Sequence, residues 1–372
     1  MSDLRVLHVL GDLDFGGIQQ FLINYQSHLP SDVKFDYVVL SDERGALEQQ
    51  ALLLGSQVFH VPTFLKGDYH RFAKAFDAVL SVGCYDAVHC HLDKMSLPPL
   101  FLAKKHHVPM RVVHAHSLSE SPRLHRRMLK CVFQVLSTGV VTDRFGCSTE
   151  ACRFLYGKCA TGCVNVIPNA VDTARFVFNE ELRNSTRDKL NINGLCVGNV
   201  GRRSVQKNQT FLVDVLSALR GRGIDATLLL VGPSENDEDI MRAAEQHGCA
   251  DAIRMTGLVD DPETYLNAMD VFCFPSLYEG LGIAAVEAQL NGLGIVASNE
   301  VPKSVDVTGR VAFVDLKRGA ESWAKSISDA PVRCAMREEE LRRTGYEIRD
   351  AAPMLAELYR SRVAVLKGRR DG

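Results

Sequence analysis

The chain has 372 residues, 46% of them hydrophobic and 24% charged, with a formal net charge of −2. That length accommodates about two domains, each with its own core, and the balanced charge gives no global reason to expect a nucleic-acid partner. Eleven cysteines without a single Cys-x-x-Cys, several of them in apolar segments (Cys90, Cys131, Cys196, Cys273), point to reduced buried thiols in the cytoplasm rather than disulfides. Cys159 and Cys163 lack a second ligand pair at zinc spacing.

Met1–Asp3 runs directly into the apolar Leu4–Leu10, with no basic leader or cleavage site. No apolar run approaches the roughly 20 residues that span a bilayer. Apolar runs at Leu4–Leu10, Phe35–Leu40, Val58–Val61, Ala87–His91, Met110–His114, Gly139–Val141 and Val164–Ile167 read as strands. Between them, Gly17–Leu29, Leu47–Leu54, Phe72–Val82 and Leu97–His107 carry helical periodicity. Asp172–Asn193 is polar and interrupts the pattern. It then resumes with strands at Leu195–Val200, Ala226–Val231, Ile253–Thr256, Val271–Phe274, Ile295–Ser298 and Val311–Val314. Helices fall between these, at Asn208–Arg220 and Ala284–Leu290, and a last one covers Ala351–Leu366. This alternation predicts two α/β domains, each a parallel sheet covered on both faces, joined near residues 170–190. Ligands of such sheets bind at the carboxyl ends of the strands.

The first strand ends in Gly11-Asp12-Leu13-Asp14-Phe15-Gly16-Gly17, where glycines permit close backbone approach and a helix N-terminus can face an anion. The spacing is not the dinucleotide fingerprint, which disfavours a nicotinamide enzyme. Asp12 and Asp14 read as turn formers. His89-x-His91 and His114-x-His116 each place two imidazoles on one face of a strand end. No acidic or thiolate third ligand accompanies either pair, so hydrogen bonding to a sugar or phosphate is the simpler role, with structural histidines the alternative.

In the second half, Gly201-Arg202 and Lys207-Asn208 flank a turn after a strand. A guanidinium forks onto phosphate oxygens and an ammonium adds a compact charge. From Phe274 to Ala288 a strand stops at Pro275, a loop follows, and a helix starts near Gly282. The backbone N–H groups of Leu281, Gly282 and Ile283 can then face a diphosphate. Glu279 lies in the loop. Glu287 lies in the helix among apolar residues, a costly setting for a carboxylate without a partner.

With seven residues between Glu279 and Glu287, and with His114-Ala115-His116-Ser117, Ile167-Pro168-Asn169 and Asp172 in order before them, the chain resembles the retaining glycosyltransferases of family 4 over about residues 1–310. The likeness is to bacterial exopolysaccharide and capsule enzymes. It implies a GT-B fold of two Rossmann-like domains facing a cleft: an acceptor-side domain over 1–175, a nucleotide-sugar donor domain over 190–348, and a final helix, 349–372, crossing back to the first. Arg202 and Lys207 would hold the donor diphosphate, Glu287 the ribose, and Glu279 the sugar. Gly16 and Gly17 would close on the phosphates, and His116 would sit by the reacting sugar. No metal or other cofactor is implied, and UDP is the expected nucleotide. Departures are Ala170 after Ile-Pro-Asn, Gly294 after Gly292-Leu293, and Ser304 after Pro302-Lys303, the last leaving out a frequent carboxylate.

Rival readings are a non-hydrolysing nucleotide-sugar epimerase and a non-catalytic nucleotide-sugar-binding subunit. Arg123–Leu136 carries Arg123, Arg126, Arg127 and Lys130 beside apolar residues. As a basic amphipathic helix it can lie on the anionic inner face of the plasma membrane, where a lipid-linked acceptor would be found. A normal domain helix with a solvated face is the alternative.

Overall fold

A computed structural model describes residues 3–64, 67–116, 136–157, 164–234, 237–331, 333–334, 336 and 338–369. Most of Arg123–Leu136, with Ser117, Cys159 and Cys163, lies outside them. Contacts divide the chain into two compact units: residues up to Asp172 together with those from Gly345, and Thr173–Thr344.

The first unit is a seven-stranded parallel sheet. Its strands are β1 (Leu4–Leu10), β2 (Val33–Val39), β3 (Val58–His60), β4 (Ala87–Cys90), β5 (Met110–Ala115), β6 (Asp143–Gly146) and β7 (Val164–Val166). The order is β3-β2-β1-β4-β5-β6-β7. The central strands are buried along almost their whole length, as helices on both faces require. The sixth strand begins later than the apolar pattern implied. Val140 and Val141 are buried, but their N–H groups bond Ser137 O in a turn, and pairing starts at Asp143.

The final helix, Ile348–Gly368, belongs to this unit. Its buried Leu355, Tyr359 and Val363 join the core formed by β1, β2 and the helix Gly17–Gln26. Arg360–Asp32 (2.6 Å), Arg362–Asp143 (2.5 Å) and Lys367–Asp86 (2.6 Å) line its flanks.

The second unit is a six-stranded parallel sheet of β8 (Leu195–Val200), β9 (Ala226–Val231), β10 (Ile253–Met255), β11 (Val271–Phe274), β12 (Gly294–Ser298) and β13 (Val311–Val314), in the order β10-β9-β8-β11-β12-β13. Trp323, fully buried and edge-on to Phe211, fills one face of its core. The polar stretch expected to be a junction contains an eleven-residue helix, Glu180–Leu190. It has almost no apolar face, which is why periodicity did not show it. Asn179 caps it by accepting from Leu182 N, and Arg183 and Arg187 grip Asp270 at 2.5 and 3.1 Å.

In both sheets the chain runs outward from the first strand, then returns to its other side. The reversal lies between β1 and β4 in the first sheet and between β8 and β11 in the second. At such points no crossover covers the carboxyl ends, and a crevice opens.

Leu355→Ala removes a buried anchor of the final helix and should cost about 2–4 kcal/mol. Urea unfolding followed by a probe in the first unit should show a lowered midpoint there, with the second unit unaffected.

Candidate active site

At the second sheet's reversal, the turn after β8 and the loop after β11 are tied together. Asn199, buried in β8, donates to Cys273 O of β11 and accepts from Gln209 Nε2. Gln209 also donates to Arg202 O. Gln206 O accepts from Leu277 N at 2.8 Å, while Gln206 Nε2 donates to Tyr278 O. Asn208 Nδ2 donates to Pro275 O. Across this seam Lys207 Nζ donates to Glu279 Oε1 at 2.7 Å and lies 4.9 Å from the centre of the Phe274 ring. Glu279 is only 6% exposed, so its carboxylate depends on that ammonium.

Arg202 is exposed at the mouth, whereas the adjacent Arg203 is buried and structural. Arg203 ion-pairs with Asp237 and donates to Gly232 O and Thr256 O. Gly282 caps the helix Ile283–Leu290 in the left-handed region, φ +91°, and a Cβ there would stand 2.5 Å from the Phe274 ring. Only glycine makes this turn. Among the described residues, the N–H groups of Leu281, Gly282 and Ile283 make no hydrogen bond, so they are available to an anion at the helix end.

Glu287, one turn further along, is partly buried, and its carboxylate makes no hydrogen bond or ion pair among the described residues. Burial first, then the nearby Glu263, raise its pKa to about 7, and Arg175 offsets part of this. Arg175 is itself paired with Glu263 at 2.8 Å.

In the first unit Gly16 caps the helix Gly17–Gln26 with extended backbone. A side chain at Gly16 would press on Gln19, while Gly17 has open space around it. Asp12 and Asp14 are turn formers: Asp12 accepts from Asp14 N and Gln19 Nε2, and Asp14 accepts from Ala46 N. His116 follows β5, with its N–H donated to Asp93 Oδ1. Burial raises Asp93 to about 6.

The two histidine pairs do not stand alone. Parallel pairing sets His8 of β1 beside His89 of β4, and five imidazoles pack together. His8 Nδ1 lies 2.9 Å from His91 Nε2, and His91 Nδ1 lies 2.8 Å from His116 Nε2. His89 bridges Tyr359 Oη (2.5 Å) and His114 Nδ1 (3.1 Å). Two groups, His8/His89/His91 and His91/His114/His116, each bring three ring nitrogens within 4.8 Å, close enough to hold a metal ion. The third ligand missing from each sequence pair is thus another histidine from a neighbouring strand. No carboxylate stands in either group, so a bound dication would be left uncompensated in the core. Burial, with mutual repulsion for the inner rings, lowers all five: His8 and His116 to about 3, and His89, His91 and His114 well below the usual value. His8 and Asp93 were not singled out from sequence, because strand order decides what they meet.

Residues 192–330 match the family model for group 1 glycosyl transferases. The chain is a glycosyltransferase of the GT-B fold. This glycosyltransferase is 29% identical to EpsF of Bacillus subtilis (strain 168), over 96% of its own length and 97% of that protein. It is 26% identical to the UDP-Gal:alpha-D-GlcNAc-diphosphoundecaprenol alpha-1,3-galactosyltransferase of Escherichia coli, over 80% of each chain. Among solved structures, Anabaena HepE in complex with UDP and glucose superimposes with a TM-score of 0.72 at 18% identity, covering 99% of this glycosyltransferase and 98% of that chain. No helix among the described residues is long and apolar enough to cross a membrane.

Two pH dependences of opposite sign follow. The histidines are neutral in the fold and charge in the unfolded chain below about pH 6.5. The unfolded state then binds more protons, and stability falls as pH drops, by about 1.4 kcal/mol per pH unit for each ring that must charge. Acid titration of the first unit by circular dichroism should show a steep loss starting just below pH 6.5. Glu287 behaves the other way. Its folded pKa is raised, so its cost is absent below about pH 4.5 and complete above about pH 7. Glu287→Gln should therefore stabilise the ligand-free protein at pH 8, on the order of 3 kcal/mol, and leave it unchanged at pH 4. Denaturant midpoints at the two pH values measure the difference.

Proposed function

We propose that the chain is a family 4 enzyme that transfers a sugar, with retention at the anomeric carbon, from a UDP-sugar to a lipid-linked glycan during surface polysaccharide synthesis. The observation that carries the reading is the second unit's reversal point. There Arg202, Lys207 and the N–H groups of Leu281–Ile283 gather at the ends of adjacent strands, with a partly buried, unpartnered carboxylate at Glu287 one turn away. Cleaving a sugar–phosphate bond builds charge on the departing diphosphate. Fixed cations and helix-end dipoles act where that charge develops. Lys207 has three donors, one of them committed to Glu279, and the others remain for phosphate.

Glu287 would accept the ribose hydroxyls, whose donated hydrogen bonds favour its charged form. Glu279, locked by Lys207, would contact the donor sugar. Gly16 and Gly17 would admit the phosphates to the first unit's backbone, and His116 would bond the reacting sugar. The acceptor hydroxyl would attack the face the diphosphate leaves, with a diphosphate oxygen taking its proton. No protein nucleophile and no metal is needed in this scheme. The lipid-linked acceptor draws support from the galactosyltransferase relative, whose named acceptor is a diphosphoundecaprenol-linked sugar. Peripheral attachment through Arg123–Leu136 belongs to the same proposal. Anionic liposomes should sediment the protein at low salt and release it at high salt.

Arg202→Ala and Lys207→Ala should each lower kcat by about 10²–10³-fold, with the donor found first by ligand-induced rise in Tm across a panel of nucleotide sugars. A near-wild-type rate in either variant removes the diphosphate assignment. Product proton spectra report the anomeric outcome, and a glycosyl-enzyme trapped on Glu279 or any Asp would refute the proposed attack.

A further inference from the structure

Three of the five clustered histidines form one continuous file. His8 Nδ1 meets His91 Nε2 at 2.9 Å, and His91 Nδ1 meets His116 Nε2 at 2.8 Å. A neutral imidazole carries one N–H and one lone pair, so the three rings share a single direction of donation. All three are held neutral by burial. Only two arrangements exist. If donation runs outward, His8 Nδ1–H bonds His91, His91 Nδ1–H bonds His116, and His116 presents Nδ1–H at the end of β5. If it runs inward, His116 presents a lone pair and His8 is left with its hydrogen on Nε2.

The inner end decides between them. His8 is 1% exposed, its Nε2 has no partner, and its ring lies 4.2 Å from that of Phe35. An orphaned N–H in such a place is rarer and costlier than an unused acceptor. The outer end exerts no comparable preference. His116 is partly exposed, and no described residue bonds its Nδ1, so water or ligand can satisfy either form there. The file is backed by parallel ring contacts with its neighbours: His89 on His91 at 4.4 Å and His114 on His116 at 4.1 Å, which hold the rings in register.

We infer that His91 and His8 are positioning residues that lock His116 as a hydrogen-bond donor through Nδ1, so that the ligand atom it meets is an acceptor oxygen of a sugar hydroxyl. His116 then cannot serve as a base at that nitrogen without reversing three protons and stranding one beside Phe35. This deepens the proposed transfer and rests on it for the identity of the ligand, while the direction of the file stands on geometry alone.

Long-range proton–nitrogen spectra of the full chain with 15N-labelled histidine test it directly. His8, His91 and His116 should each carry hydrogen on Nδ1 at pH 7.5, and hydrogen on Nε2 of His116 overturns the inference. His91→Phe removes the donor to His116 Nε2. It should release His116 toward the other tautomer and lower kcat/KM roughly tenfold or more, with the Kd for UDP unchanged. His91→Asn, whose amide can donate from the same position, should restore the His116 signal and most of the rate. A His91→Phe protein with wild-type kcat/KM overturns the functional part. Should His91→Phe not fold, the wild-type spectrum and His91→Asn decide alone. Should the wild type show the stated tautomers yet transfer no sugar from any donor, the file is upheld and the transfer reading fails.

Discussion

The ion pair of Lys207 with Glu279 is the contact on which the second unit's site depends. A carboxylate 6% exposed is tolerated only with a cation against it, and at 2.7 Å the ammonium is in full contact. Because Lys207 belongs to the turn after β8 and Glu279 to the loop after β11, the pair clamps together the two strand ends at which the sheet reverses. Asn199, Gln206, Asn208 and Gln209 complete the clamp with hydrogen bonds to the backbone. The clamp in turn fixes Phe274 and Gly282, and so aims the helix end that carries free N–H groups. Removing either charge would leave the other buried and alone, loosening the turn that carries Arg202 as well.

The first sheet reverses in the same way but is furnished differently. Between β1 and β4 the side chains at the strand ends are imidazoles, packed together so that burial lowers the pKa of each. Their hydrogen bonds are to one another and to Tyr359 of the final helix. The last segment of the chain is thereby tied to the polar interior of the unit formed by its beginning, which gives the helix Ile348–Gly368 a specific seat beyond its apolar contacts.

Much of this was legible from sequence, and the failures have physical reasons. Fully buried parallel strands are runs of apolar residues, so twelve of the strands fell close to their expected places, and alternation sufficed for the α/β class. Gly139–Val141 misled because burial alone does not make a strand; its N–H groups were taken by Ser137. The helix Glu180–Leu190 was missed because arginine–aspartate contacts, rather than an apolar stripe, hold it. Arg202, Lys207, Glu279 and Glu287 were visible through their position after apolar runs. That Lys207 bonds Glu279 was not, since nothing local says β8 and β11 are neighbours. His8 stayed hidden for the same reason: a lone histidine in an apolar strand acquires meaning only when the register sets it beside His89.

The contrast between the two reversal points matches what each would have to bind. In the proposed transfer the departing diphosphate would gain negative charge, and the second unit would meet it with guanidinium, ammonium and backbone dipoles, which are strongest where water is scarce. A sugar ring offers neutral hydroxyls, and a charged group beside it would bring its own solvation cost without a counter-charge to offset it. Neutral imidazoles supply directional hydrogen bonds free of that cost. The cost falls on acid stability instead, because a fold in which burial disfavours protonation of five rings is most exposed when the medium supplies protons. One architecture, a parallel sheet reversing beside its first strand, would on the proposed reading serve a charged task in one unit and an uncharged one in the other through the side chains placed at its strand ends.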